Sequence, residues 1–165
     1  MAPRPDPIAP ADDAGRTQAR ALLAAARFGA LAYTDPETET PAISRIAVGL
    51  DPDGCPLTLI SQLSAHHAGL AAHPLAALMV GEPGPKGDPL THPRLMIRLE
   101  AQFIDRSAPD HAPLRARWLA DHPKSALYID FADFGFVRLL PRAALLNGGF
   151  GRAMRLDPAD LLPPL

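Results

Sequence analysis

The chain has 165 residues, of which 47% are hydrophobic and 21% charged, so it folds as one globular domain with a full-sized core and is not disordered. With 16 Lys and Arg against 18 Asp and Glu, and no basic run, nucleic acid is excluded as the expected partner. The single Cys55 forbids an internal disulfide, and no stretch approaches the ~20 apolar residues of a membrane helix. A soluble cytoplasmic protein is the expectation, since the start of the chain lacks the apolar core of a signal peptide.

In chain order, residues 1–10 are rich in proline and read as a flexible tail, ahead of a single domain over 11–165. Ala11 to Arg27 reads as a helix with Ala19, Leu22, Leu23 and Ala26 on one face, stopped by Gly29. Gly29 to Thr34 is a first strand. Pro41 to Leu50 alternates as a strand, Ser44, Ile46 and Val48 against Ile43, Arg45 and Ala47. Asp51-Pro52-Asp53-Gly54 is a tight turn, and Leu57 to Ile60 a short apolar strand. Ser64 stands at the N-cap of a short helix that ends near His73.

Leu75 to Val80 is apolar throughout and reads as a buried strand. The segment from Gly81 to Pro93 holds too many turn-formers to be regular. From Arg94 to Asp105, Leu95, Ile97, Leu99, Ala101 and Phe103 face one way, and Met96, Arg98, Glu100 and Gln102 the other. Asp110 to Asp121 is a helix with Leu114, Trp118 and Leu119 inward, and Lys124 to Tyr128 adds a helical turn. Phe134 to Leu140 and Ala143 to Leu146 read as two strands joined at Pro141-Arg142. Gly148-Gly149-Phe150-Gly151 breaks the second, and Asp157-Pro158 opens a last turn to Leu162. Strands outnumber helices without βαβ alternation. The fold class expected is therefore mainly β with peripheral helices (α+β), an antiparallel barrel.

Three constellations carry chemistry. The start of the helix after Ser64 offers free N–H groups, with Ser61 at the strand exit and Arg45 mid-strand nearby, which suits a phosphate. Against this, Arg45 also fits a solvated strand face. His66-His67 and His73 lack the spacing of a metal site, because adjacent helical residues point about 100° apart. The glycine-rich Gly148 to Arg152 is either an ordinary turn or a backbone lying against a ligand, with Arg152 as an anion contact. No nucleophile elbow or metalloprotease motif is present, so the residues alone name no reaction and no catalytic residue.

The stretch SRIAVGLDPDGCPLTLISQLSAHHAGLAAHPLAALMV resembles the flavin-binding half of the pyridoxamine 5′-phosphate oxidase-like split barrels. KGDPLTHPRLMIRLEAQF and FADFGFVRLLPRAALLNGGFGRA resemble the branch related to haem-iron utilisation proteins. The resemblance implies a six-stranded antiparallel FMN-binding split barrel and a homodimer with FMN at the interface. It places Ser44, Arg45, Ile46 and Ala47 along the flavin, with Ser61, Ser64 and His66 around its phosphate. Where the oxidases have Ser-Arg-Lys, this chain has Ser64-Ala65-His66, and their Arg-x-His substrate motif is not found around Arg152. The resulting expectation is an FMN-binding flavoprotein, an oxidoreductase of unidentified substrate. The alternatives on the same fold are a haem-binding or haem-degrading protein and a binding dimer without cofactor.

Overall fold

The computed structural model describes residues 8–149 and 151–162. Helix α1 spans Asp13–Ala25, capped by the Asp12 carboxylate, which accepts from Gly15 N at 2.7 Å. Strands β2 (Phe28–Thr34) and β3 (Pro41–Ala47) form a hairpin, and β4 (Gly49–Leu50) continues β3 after a break at Val48. Then come β5 (Pro56–Ser61), α2 (Ala65–Ala72), β6 (Leu75–Val80) and β7 (Arg94–Phe103). Helix α3 (His111–Asp121), β8 (Phe134–Asn147), β9 (Ala153–Leu156) and α4 (Pro158–Leu161) follow. Of the segment read as a tail, Ile8–Pro10 form β1 and pair in parallel with β9; residues 1–7 lie outside the described residues.

The expected six barrel strands are β2, β3 with its continuation β4, β5, β6, β7 and β8, and every pairing among them is antiparallel. The ladder runs β9-β8-β7-β6-β2-β3, while β5 joins through β8. β3 and β5 share no ladder, so the barrel is split there. They touch through Thr58, whose hydroxyl donates to Ala47 O at 2.7 Å.

Alternation decides what lies inside. Leu31, Leu78, Leu95, Ile97, Leu99, Leu139 and Leu146 are all buried in the barrel. A second core, Leu57, Leu59 and Phe136 against Leu114 and Trp118 of α3, fills the space under that helix. Trp118 donates to Ser125 Oγ at 3.0 Å, so its polar edge is satisfied in the apolar surround.

Two expectations need correction. β6 is not buried on both faces: Leu75 and Met79 point outward, because the barrel covers only one side of the strand. Pro141-Arg142 is not a turn between two strands. β8 runs unbroken, and the register against β7 shifts between Arg98 and Leu99, so that Arg142 is the extra residue of a β-bulge. A proline fits at a bulge because the ladder there does not require its missing N–H.

Candidate functional site

The sequence-derived residues fall into two regions. At one end of the barrel, β5 leaves at Ser61 and α2 begins. Ser64 caps α2, accepting from His67 N at 3.3 Å and donating to Ser61 O at 2.7 Å. The Ser61 hydroxyl donates to Asp133 Oδ2 at 2.5 Å and accepts from Leu63 N at 3.1 Å. His66 sits half-buried with its ring edge toward Tyr33, and His67 packs edge-on against Phe103 with centroids 4.9 Å apart. Burial lowers the pKa of both imidazoles, and the neighbouring His67 lowers His66 further. Both are therefore biased toward the neutral form. Beside them lies a cleft of about 250 Å³ lined by Gln62, His67, Phe103, Arg106 and Phe134. The Arg106 guanidinium is already engaged by backbone carbonyls, including those of Phe131 and Phe134.

The second region is the outer face of β3, β2, β6, β7 and β8. Pairing aligns Ile43, Ala32, Ala77, Arg98 and Ala143 in one row across these strands. The next row reads Arg45, Ala30, Met79, Met96 and Leu145, with Arg155 of β9 beyond. The floor is thus small and apolar, with guanidinium groups set into it. Arg45 is exposed, its Cζ 5.5 Å from the Phe28 ring centroid, a cation–π contact. Among the described residues Arg98 has no hydrogen-bond or ion-pair partner. Two clefts meet at Arg98. One, of about 320 Å³, is lined by Met96, Ala143, Leu145, Arg155 and Asp157. The other, of about 550 Å³, is lined by Ala32, Thr34, Leu75, Ala77 and Arg142. Both lie within or near the ~300–1,000 Å³ of ordinary ligand clefts.

The eight sequence-derived residues do not form one constellation within a single chain. Ser61, Ser64 and His66 gather at the start of α2. Arg45 stands on the outer face, where Ser44 on the same strand points the other way. Ile46 is buried in the core, and Ala47 packs on the second core while its carbonyl accepts from Thr58. Arg152 lies in the turn from β8 to β9, where Gly149 and Gly151 have positive φ, at the barrel end opposite Ser64. Phe150 of that motif is outside the described residues. Sequence reading missed Arg98, Arg142 and Asp133. The signal for Arg98 was present, a cation alternating with Met96 on the strand face opposite Leu95, Ile97 and Leu99.

No family model matches the chain. A chloroplastic non-canonical heme oxygenase of Arabidopsis thaliana is 33% identical over 113 residues, covering 68% of this chain. The chain spans 33% of that relative's length. A heme-binding protein from Mycobacterium smegmatis superposes with TM-score 0.80 at 26% identity, covering 96% of this chain and 60% of that one. ChuZ of Campylobacter jejuni superposes with TM-score 0.79 at 18% identity, covering 94% and 63%, which shows likeness of fold. The chain has the split-barrel fold of the pyridoxamine 5′-phosphate oxidase-like proteins and is related to their haem-utilisation branch, as its sequence implied. No helix among the described residues is long and apolar enough to cross a membrane.

Proposed function

We propose that this protein binds haem on the outer sheet face, between two copies of the chain. The observation that carries this reading is Arg98, an unpartnered guanidinium where two apolar clefts meet on a floor of alanine and methionine. A flat apolar ring with anionic edge groups matches that surface, because the ring covers small side chains and the anions meet cations at the margin. Names of relatives point the same way, one a heme oxygenase and one a heme-binding protein. A homodimer belongs to the proposal. Ile43 is 74% exposed and Met79 45%, both on this face, and a second copy covers them together with the ligand.

The region at the start of α2 supports a flavin phosphate less well. Asp133 holds the Ser61 hydroxyl, Ser64 is occupied in capping, and burial biases both histidines toward the neutral form. A phosphate dianion placed there meets the Asp133 carboxylate, and the nearby cation, Arg106, is already engaged by backbone carbonyls. The test is an optical titration of purified protein with hemin and, separately, with FMN, combined with light scattering. A saturable Soret shift at about one hemin per chain or per two chains, from a dimeric protein, is expected. Tight FMN binding with no Soret change would replace this reading with the flavoprotein one.

A further inference from the structure

The larger cleft holds a second guanidinium besides Arg98. Arg142 lines it, and it is there only because of the bulge. Leu99 pairs with Pro141 and Arg98 with Ala143, so Arg142 has no partner of its own on β7. An extra residue of this kind re-aims its side chain, and bulges are over-represented beside binding sites for that reason. Arg142 Nη2 makes one ion pair, with Glu100 Oε2 at 3.1 Å, and both side chains stay exposed, at 64% and 39%. Such a pair is weak and exchangeable.

No carboxylate lines the cleft among the described residues, and Glu100 answers one of its two cations. Two guanidiniums on one apolar cleft repel each other until anions arrive, and each presents a fork that fits a carboxylate. The floor at Ala32 and Ala77 is low enough for a flat ring, and Leu75, 63% exposed, offers it an apolar edge. From this geometry we infer that Arg98 and Arg142 form a paired subsite for the two carboxylates of one planar ligand, Arg142 leaving Glu100 to reach its carboxylate. The inference rests on the haem reading and specifies it: the carboxylates are the two propionates.

The experiment compares hemin with hemin dimethyl ester, whose propionates are capped, by Soret titration of the full chain. Wild type is expected to bind hemin clearly more tightly than the ester. Arg142→Ala should weaken hemin by roughly tenfold and leave the ester unchanged, as for one lost charge-assisted contact. Arg142→Lys should recover part of the loss, since the charge returns without the fork. Glu100→Gln should tighten hemin by about threefold, because Arg142 no longer has a competing partner. Thermal midpoints of the three variants should stay near wild type, since both side chains are exposed.

Equal binding of hemin and ester by wild type would overturn the subsite and leave the haem reading standing. An equal loss for both compounds in Arg142→Ala would also overturn it, by showing a packing role. A wild type that binds neither compound would remove the haem reading and the subsite together. In a parallel arm with FMN and riboflavin, Arg142→Ala weakening FMN alone, with hemin unaffected, would assign the pair to a phosphate and reject the propionates.

Discussion

The start of α2 and the outer sheet face both combine polar side chains with nearby apolar surface, yet they differ in what those side chains already do. At the helix start every hydroxyl has an internal partner: Ser61 with Asp133, Ser64 with Ser61 O and His67 N. On the sheet face Arg98 has none, and Arg142 has one exchangeable ion pair. A polar group engaged inside the fold must lose that bond before it meets a ligand, and the net gain is small. The exposed Arg98 guanidinium has no internal bond to break and gives up only its hydration. The hydroxyls of the first region serve to seat a helix, whereas the second leaves its guanidiniums open, which is what the proposed anionic ligand requires.

The largest expected effect breaks the helix side. Gly69 lies against β2, and a Cβ there would overlap the Tyr33 ring and stand 2.9 Å from Thr34 O. Backbone carbonyl and buried ring cannot both give way. Gly69→Ala should push α2 off the barrel and cost about 1–3 kcal/mol, seen as a lower urea midpoint. Unchanged stability would mean that α2 is loosely seated, and the contrast between the regions would lose its basis.

Next comes the sheet face. Arg98→Ala should weaken hemin by roughly tenfold while shifting stability by no more than ~0.5 kcal/mol, because an exposed side chain without partners contributes little to folding. Soret titration and thermal melts on the same preparation check both halves. A marked loss of stability with unchanged hemin affinity would make Arg98 a structural residue.

Removing the α2 cap sharpens the comparison from the other side. Ser64→Ala deletes the bond from His67 N and should cost about 1 kcal/mol of stability, with hemin affinity unaffected. If FMN binds wild type and Ser64→Ala weakens it severalfold in calorimetry, the helix start is a phosphate site after all.

The two regions were not equally legible in the sequence. Local signals located the helix start: the Ser64 cap, the strand exit at Ser61 and the turn at Gly54 all stand as read. Alternation likewise gave the buried face of β7 from Leu95 to Ala101. What the sequence does not show locally is which strands lie side by side. The row from Ile43 to Ala143 draws on five strands spread over 112 residues of chain, from Ala32 to Ala143, and only their pairing sets Arg98 among the small apolar residues of that surface. The bulge is hidden for the same reason. Pro141 reads as a breaker in one dimension, whereas beside β7 it is a strand residue whose neighbour Arg142 is displaced. Asp133 was missed because its partner, Ser61, is 72 residues away.

The smallest expected effect is a pH dependence of the helix side. Burial lowers the pKa of His66 and His67, and the charge on His67 lowers His66 further. Their unfolded value is about 6.5. The folded protein thus takes up fewer protons than the unfolded chain as pH falls, and stability declines with it. The contribution is fully present above pH ~6.5 and is lost progressively below that value, as pH falls through the lowered folded pKa. The carboxylates Asp105, Asp130 and Asp160 are also lowered, by hydrogen bonds and arginine partners, but they act in the more acidic range near and below ~4. Urea midpoints at pH 7.5, 6.5 and 5.5 separate the two windows. Wild type should lose stability between 6.5 and 5.5, and the double variant His66→Gln, His67→Gln should be flatter there. Stability that rises as pH falls through this window would mean that the imidazolium forms are favoured. An anion partner would then sit beside them, and the helix start would regain the character of a phosphate site that the neutral histidines deny it.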